Sequence, residues 1–250
     1  MQIDAIIQAR IGSSRLRGKV LKKINGFSVL KFLLNQLDYS KLLNRIIIAT
    51  TTSNEDLALV EFAKENQVTY FQGSTLDVLD RYYQCAKHYS IEHIARITSD
   101  NPLIDPEIVD EVIKLYMKGE FDYVNNFFKP TFPVGTEVEV FSFEALEKAW
   151  NNAKKPSERE HVTPYIYNNP EQFSIAHKEY VQDLSNLHWS VNTQEDLELV
   201  REIYNGIQNR PILLKNILKL LKTNPKLQKI NSEINPHEGN LKSLKEDKGF

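Results

Sequence analysis

Six of the chain's 31 lysines and arginines fall in the fourteen positions from Arg10 to Lys23: Arg10, Arg15, Arg17, Lys19, Lys22 and Lys23. Like charges repel when crowded, unless an anion sits among them. The formal net charge of the whole chain is only -2, so this is a local concentration in an otherwise balanced molecule. Gly12, Ser13 and Ser14 lie inside it, where a small residue lets the backbone approach a ligand and N–H and hydroxyl groups can donate to phosphate oxygens. The chemistry that such a stretch supports is the holding of a polyanion, with a nucleoside triphosphate as the natural guest. A merely solvated basic loop is the alternative. The apolar run 3–9 just before it reads as a buried strand, and ligands of open α/β sheets bind at the carboxyl ends of strands.

Two well-known phosphate loops are excluded. Five residues separate Gly12 from Gly18 where the P-loop has four, and Val20 stands where a metal-binding Ser or Thr would be required. A dinucleotide fingerprint would need three closely spaced glycines. A second candidate lies in Thr98-Ser99-Asp100-Asn101-Pro102-Leu103-Ile104-Asp105-Pro106. Asp105 caps a helix with Pro106 at its first position, which leaves Asp100 either to cap a turn or to hold a cation. Magnesium is commonly held by one or two carboxylates plus phosphate oxygens and waters, and a carboxylate just past a central strand near the cationic loop suits it.

The elements that must position these groups follow from periodicity. Residues 45–50, 68–72, 93–97 and 122–126 read as further strands, and 137–141 alternates like a strand with one polar face. Leu30, Leu33, Leu34 and Leu37 recur at helical spacing within 27–39. Capping-box pairs at Ser53 and Asp56, Ser74 and Asp77, Ser157 and Glu160, and Thr193 and Asp196 open helices, the last after a strand at Trp189. An amphipathic helix occupies 211–222 and a polar tail follows, disordered alone or folded against a partner. The expectation is an α/β chain with a doubly wound, mostly parallel, mixed sheet of Rossmann-like nucleotidyltransferase type. It comprises a nucleotidyltransferase domain at 1–210 and a helix with tail at 211–250.

Several phrases resemble one family. Ala9-Arg10-Ile11-Gly12-Ser13-Ser14-Arg15-Leu16-Arg17-Gly18-Lys19 is similar to the nucleotide-binding signature of the sugar cytidylyltransferases. G-S-x-x-D-V-L-x-R-Y-Y at Gly73, P-x-G-x-x-V-E-V-F at Pro133 and R-E-H-V-T-P-Y at Arg159 resemble its spore-coat-polysaccharide branch. The resemblance implies transfer of CMP from CTP to an acidic sugar or sugar phosphate, with Mg²⁺ as cofactor. It implies nucleotide contacts from Ala9, Arg10, Gly12, Ser13, Arg15, Lys19 and Thr98, with Arg10, Lys19 and Asp100 as the catalytic set. Asp100 and Asn192 would hold the metal. Acceptor contacts fall to Glu137 or Glu139 and to Arg159 or His161, each with a purely structural alternative. Two positions depart from the family pattern: Arg17 replaces a Pro, so the loop lacks a fixed φ, and Asn192 replaces an Asp, so the metal site has one negative charge fewer.

At 250 residues and 29.0 kDa, with 41% hydrophobic content, the chain suits one α/β domain with an appendage. A lone cysteine, Cys85, precludes an internal disulfide and fits a reducing cytoplasm. No apolar run approaches a membrane span. The resemblance further implies CTP and a small acceptor as partners and a homodimer, and no nucleic acid or membrane is expected. The alternatives are another nucleotide, a phosphorylated non-sugar acceptor, or a nucleotide-binding protein with reduced activity.

Overall fold

The computed structural model describes residues 1–13 and 15–247. In chain order the elements are β1 (Ile3–Gln8), β2 (Lys23–Ile24), β3 (Phe27–Ser28), α1 (Val29–Leu37), β4 (Leu43–Thr51), α2 (Leu57–Glu65), β5 (Thr69–Gly73), α3 (Val78–His88), β6 (His93–Thr98) and α4 (Pro106–Tyr116). There follow β7 (Tyr123–Asn125), β8 (Glu139–Ser142), α5 (Phe143–Asn152), α6 (Pro156–His161), α7 (Pro164–Tyr167), β9 (Ile175–His177), α8 (Gln194–Gly206), α9 (Leu214–Thr223) and α10 (Glu238–Glu246). Seven strands form one sheet in the order β5-β4-β1-β6-β8-β7-β9, and β8 alone runs against the rest. The doubly wound, mixed α/β fold expected from the sequence is what the chain adopts.

Alternation along β1 divides the core. Ile3, Ala5 and Ile7 point to the layer of α1, α2 and α4, while Ile6 joins the layer of α3 and α5 on the other face. After β1 the chain adds β4 and β5 on one side, then returns to place β6 on the other. Strand order therefore reverses at β1, and a crevice opens beyond its carboxyl end. The cationic loop leaves from that end.

The caps follow the predicted chemistry in part. Asp77 accepts the Asp80 N–H at 2.8 Å, Asp105 accepts that of Glu107 at 2.8 Å, and Thr193 with Asp196 forms a capping box. Asp56, in contrast, does not reach back to Ser53. It accepts the Ile11 N–H at 2.7 Å and the Thr51 hydroxyl, so it ties the cationic loop to β4. Ser157 likewise faces Asp247 of the tail, and Glu158 accepts the backbone N–H groups of Lys154 and Lys155.

The sequence reading needs three corrections. Residues 27–28 are not helical but close a hairpin with Lys23–Ile24. Its Asn25-Gly26 turn has φ of 44° and 92°, the positive pair that a two-residue hairpin loop demands. Trp189 lies in no strand, since only a single bridge, Val134 to His188, forms there. Finally, Ile175–His177 adds an edge strand that alternation over three residues is too short to announce.

Beyond residue 210 the chain is knit to the sheet's helices. Gln36 exchanges two hydrogen bonds with Ile212, at 2.7 and 2.9 Å, and Asp105 accepts the Leu214 N–H at 2.6 Å. The tail, left open between disorder and docking, forms α10 against α6. Among the described residues no helix is long and apolar enough to cross a membrane.

Candidate functional site

Loop 9–19 is held from within and from below. Ile11 O accepts the N–H groups of Ser13 at 2.7 Å and Gly18 at 3.0 Å, and Gly18 turns in the left-handed region at φ 65°. Ala9 is buried and donates its N–H to Ala49 O at 3.1 Å. Gly12 is exposed beside Glu55, whose Oε1 would stand 2.9 Å from an added Cβ. Ser14 lies outside the described residues.

Each loop cation is met by a polar oxygen from elsewhere in the chain, and Arg15 and Lys19 share one. Arg10 reaches Glu160 of α6 at 3.1 Å and Arg17 reaches Glu55 at 3.4 Å. Arg15 donates to Asn192 Oδ1 at 2.7 Å and lies 3.7 Å from Glu238 of α10. Lys19 Nζ donates to Asp100 Oδ2 at 2.7 Å and to Asn192 Oδ1 at 2.8 Å. These oxygens occupy the coordination that a triphosphate would otherwise supply. Most of the pairs are partly open to solvent, so each contributes little stability and can be exchanged for a stronger anion.

Asp100 and Asn192 are adjacent for a backbone reason: the Val191 N–H donates to Asp100 O at 2.7 Å. Burial opposes the Asp100 charge, but Lys19 and the hydrogen bonds from Lys19 and Thr98 outweigh it and hold the carboxyl below its usual range. The Asn192 amide is fixed by donation to Ser190 Oγ at 3.2 Å, which leaves Oδ1 facing the cations. One carboxylate and one amide oxygen thus converge on a single ammonium. That donor set fits Mg²⁺ in the manner that relies on the nucleotide's own phosphate oxygens to complete the shell. Among the described residues no cluster of three or more His, Cys, Asp or Glu forms a self-sufficient metal cage.

Next to this point is a cavity of about 270 Å³, lined by Arg15, Thr98, Asp100, Glu137, His161 and Asn192 among others. Glu137 accepts the Gly135 N–H at 2.8 Å and the Asn101 amide at 3.1 Å, and burial, foremost, pushes its carboxyl up to about 7. Glu139 also borders the cavity, yet both its oxygens are engaged: Oε1 by Arg96, Oε2 by the hydroxyls of Tyr123 and Thr163. His161 borders it too, its Nε2 buried and without a partner among the described residues, and burial brings its ring down to about 4. Arg159 stands apart. Its guanidinium is taken by Asp77 and by Trp150 O, where α3, α5 and α6 meet.

Sequence reasoning passed over Arg96, Asp56 and the tail residues His237 and Glu238. Arg96 had a signal, a lone cation in the apolar strand His93–Thr98. For the tail, docking could be favoured over disorder, but its approach to this site is a property of the folded chain. On the α3 face, Gln8 Oε1 and Arg81 Nη2 are buried without partners among the described residues, at the carboxyl end of β1 and in the first turns of α3. An acceptor and a donor placed there can meet the amino group and ring carbonyl of a base.

The cytidylyltransferase family model matches residues 5–234. An uncharacterized protein of Methanocaldococcus jannaschii is 42% identical over 94% of this chain and 96% of its own length. The spore coat polysaccharide biosynthesis protein SpsF of Bacillus subtilis is 30% identical over 88% of this chain and 94% of its own. A solved cytidylyltransferase from Leptospira borgpetersenii superposes with a TM-score of 0.87 at 34% identity, covering 91% of this chain and 97% of that one.

Proposed function

The chain belongs to the cytidylyltransferase family of CTP-dependent nucleotidyltransferases, and from that premise we propose that it transfers CMP from CTP to an acidic sugar or sugar phosphate in surface-polysaccharide or glycan synthesis. The observation that carries this reading is the convergence of Arg15, Lys19, Asp100 and Asn192 at the mouth of a small-molecule cavity.

An acceptor oxygen attacks the α-phosphorus of CTP, the bond to the bridging α–β oxygen breaks, and pyrophosphate leaves while the acceptor's proton passes to solvent. Alignment and charge neutralisation do most of this work. Arg10, Arg15 and Lys19 exchange Glu160, Glu238 and Asp100 for phosphate oxygens, with Ala9, Gly12, Ser13 and Thr98 shaping the nucleotide's bed. Asp100 and Asn192 hold Mg²⁺, which neutralises phosphate charge when bound. Gln8 and Arg81 face the base, where a carbonyl acceptor and a guanidinium donor suit the N4 amino group and O2 of cytosine. Glu137 and His161 meet the acceptor. Within the same reading the protein is a cytoplasmic homodimer, and sedimentation velocity tests the dimer.

The test is pyrophosphate release in Mg²⁺ from CTP, with GTP, UTP and ATP alongside, against a panel of sugar acids and sugar phosphates. Release with CTP and one acceptor is the expected result. CTP binding with no release from any pair would favour a nucleotide-binding protein that lost turnover, and Asn192→Asp would then show whether the missing charge is the cause.

A further inference from the structure

Arg96 is an expensive residue to place where it is. It sits on β6, a strand with neighbours on both sides, and its side chain is only 10% exposed. A guanidinium taken out of water costs several kcal/mol unless it is paired, and even a good buried pair gives about the same stability as apolar side chains of its size. The pairing is thorough. Glu139 stands opposite Arg96 in the antiparallel register of β6 and β8, and its other oxygen is fixed by Tyr123 and Thr163. The Arg96 guanidinium also lies over the Tyr82 ring, 5.8 Å from its centroid.

A cation that served only to balance Glu139 would have all its donors satisfied by the protein. Arg96 does not: its Nε–H is buried and has no partner among the described residues, although the residue lines the cavity. The same is true of His161 Nε2, and both residues line the cavity that also contains Asp100 and Asn192. Two cavity-lining residues thus each keep an unpartnered polar atom, and one of them belongs to an ion pair held rigid from behind, which is the condition of a polar site whose partners are supplied by a ligand.

We propose that Arg96 is the residue that selects an anionic acceptor, taking its carboxylate or phosphate, with Glu139 as the positioning residue that aims it. The charges around the cavity agree with this. Lys19 already answers Asp100, the Glu137 carboxyl is pushed up to about 7, and Arg15 adds a further positive charge at the rim. Burial and then Arg96 itself hold the His161 ring uncharged, so His161 serves as a hydrogen-bonding neighbour and leaves the acceptor's charge to Arg96. Ser190 and Tyr167 remain for hydroxyl groups.

The inference rests on the proposed transfer reaction but is testable by binding alone. Calorimetry on CTP-loaded protein compares a 2-keto-3-deoxy sugar acid and a hexose 1-phosphate, each with its uncharged parent sugar. Wild type is expected to prefer one anionic probe over its parent by at least tenfold, and which of the two it prefers separates carboxylate from phosphate. The charge-free pair Arg96→Gln with Glu139→Gln is expected to erase that preference, and Arg96→Lys, which keeps the charge but loses the planar fork, to reduce it. Both should leave CTP affinity within about twofold and the melting temperature close to wild type. Where turnover is seen, the acceptor KM rises by tenfold or more with little change in KM for CTP. A preference that survives in the charge-free pair overturns the proposal, as does wild type binding no anionic probe better than its parent. Absence of turnover with the preference intact instead counts against the reaction and leaves Arg96 in place.

Discussion

Lys19 Nζ and Asn192 Oδ1 are 2.8 Å apart, at the position where the family pattern puts a second carboxylate. An amide oxygen accepts the ammonium's hydrogen bond but brings no charge to a divalent ion. Asn192→Asp is therefore expected to lower the Mg²⁺ concentration for half-maximal pyrophosphate release by about tenfold, since Mg²⁺ favours anionic oxygens. The same shift should appear without turnover, as a lower Mg²⁺ requirement for CTP-dependent thermal stabilisation. An unchanged Mg²⁺ requirement in both assays would remove Asn192 from the metal site.

Glu238 is paired with Arg15, one of the cations proposed to hold the nucleotide. The pair spans 3.7 Å with Glu238 69% exposed, which puts its strength at no more than about 1 kcal/mol. Glu238→Gln should accordingly tighten CTP by about two- to fivefold at low salt, and the gain should fade as salt screens the wild-type pair. Weaker CTP binding in this variant would mean that α10 helps to hold the nucleotide and does not compete with it.

What the sequence made legible divides along physical lines. Most of the sheet's strands, the helix stripes, the cationic loop and the place of Asp100 beside it could be read because each is a local pattern: period, cap, or charge crowding. Asp56 could not. Its spacing from Ser53 is that of a capping box, and the competing donors, Ile11 N–H and the Thr51 hydroxyl, come near only once β1 and β4 pair. Glu139 shows the same limit. Alternation marks it as one face of a strand, and only the register with β6 shows that this face meets Arg96 instead of solvent. The approach of Glu238 to Arg15 crosses more than two hundred residues of chain and has no local signature.

His161 gives the fold an acid-sensitive point. Burial, then the Arg96 charge, lowers its ring to about 4, with Asp247 opposing; in the unfolded chain an ordinary His titrates near 6.5. Between those values the unfolded state binds the proton and the native state does not, so stability falls as pH drops from about 6.5 toward 4. The loss is on the order of 2–3 kcal/mol. Asp100 and Asp196, held below the usual carboxylate range, lose their contributions only at lower pH still. Urea unfolding of wild type and His161→Gln between pH 4 and 7 should show the slope in the first and a flatter profile in the second. Parallel profiles would mean that His161 titrates alike in both states.

Gly135 tests how closely the cavity wall that carries Glu137 is packed against the segment that carries Asn192. Its φ is 106°, and an added Cβ would lie 2.8 Å from Ser190 N and 2.8 Å from Trp189 Cδ1. Neither neighbour can retreat, because Trp189 is buried and its backbone N–H donates to Val134 O at 2.9 Å. Gly135→Ala combines left-handed strain with overpacking and should cost about 2–4 kcal/mol, visible as a lower denaturation midpoint. The Gly135 N–H also fixes Glu137, so any shift of the backbone should weaken acceptor binding more than CTP binding. Equal losses for both ligands would show that the wall moves as one piece with the nucleotide loop.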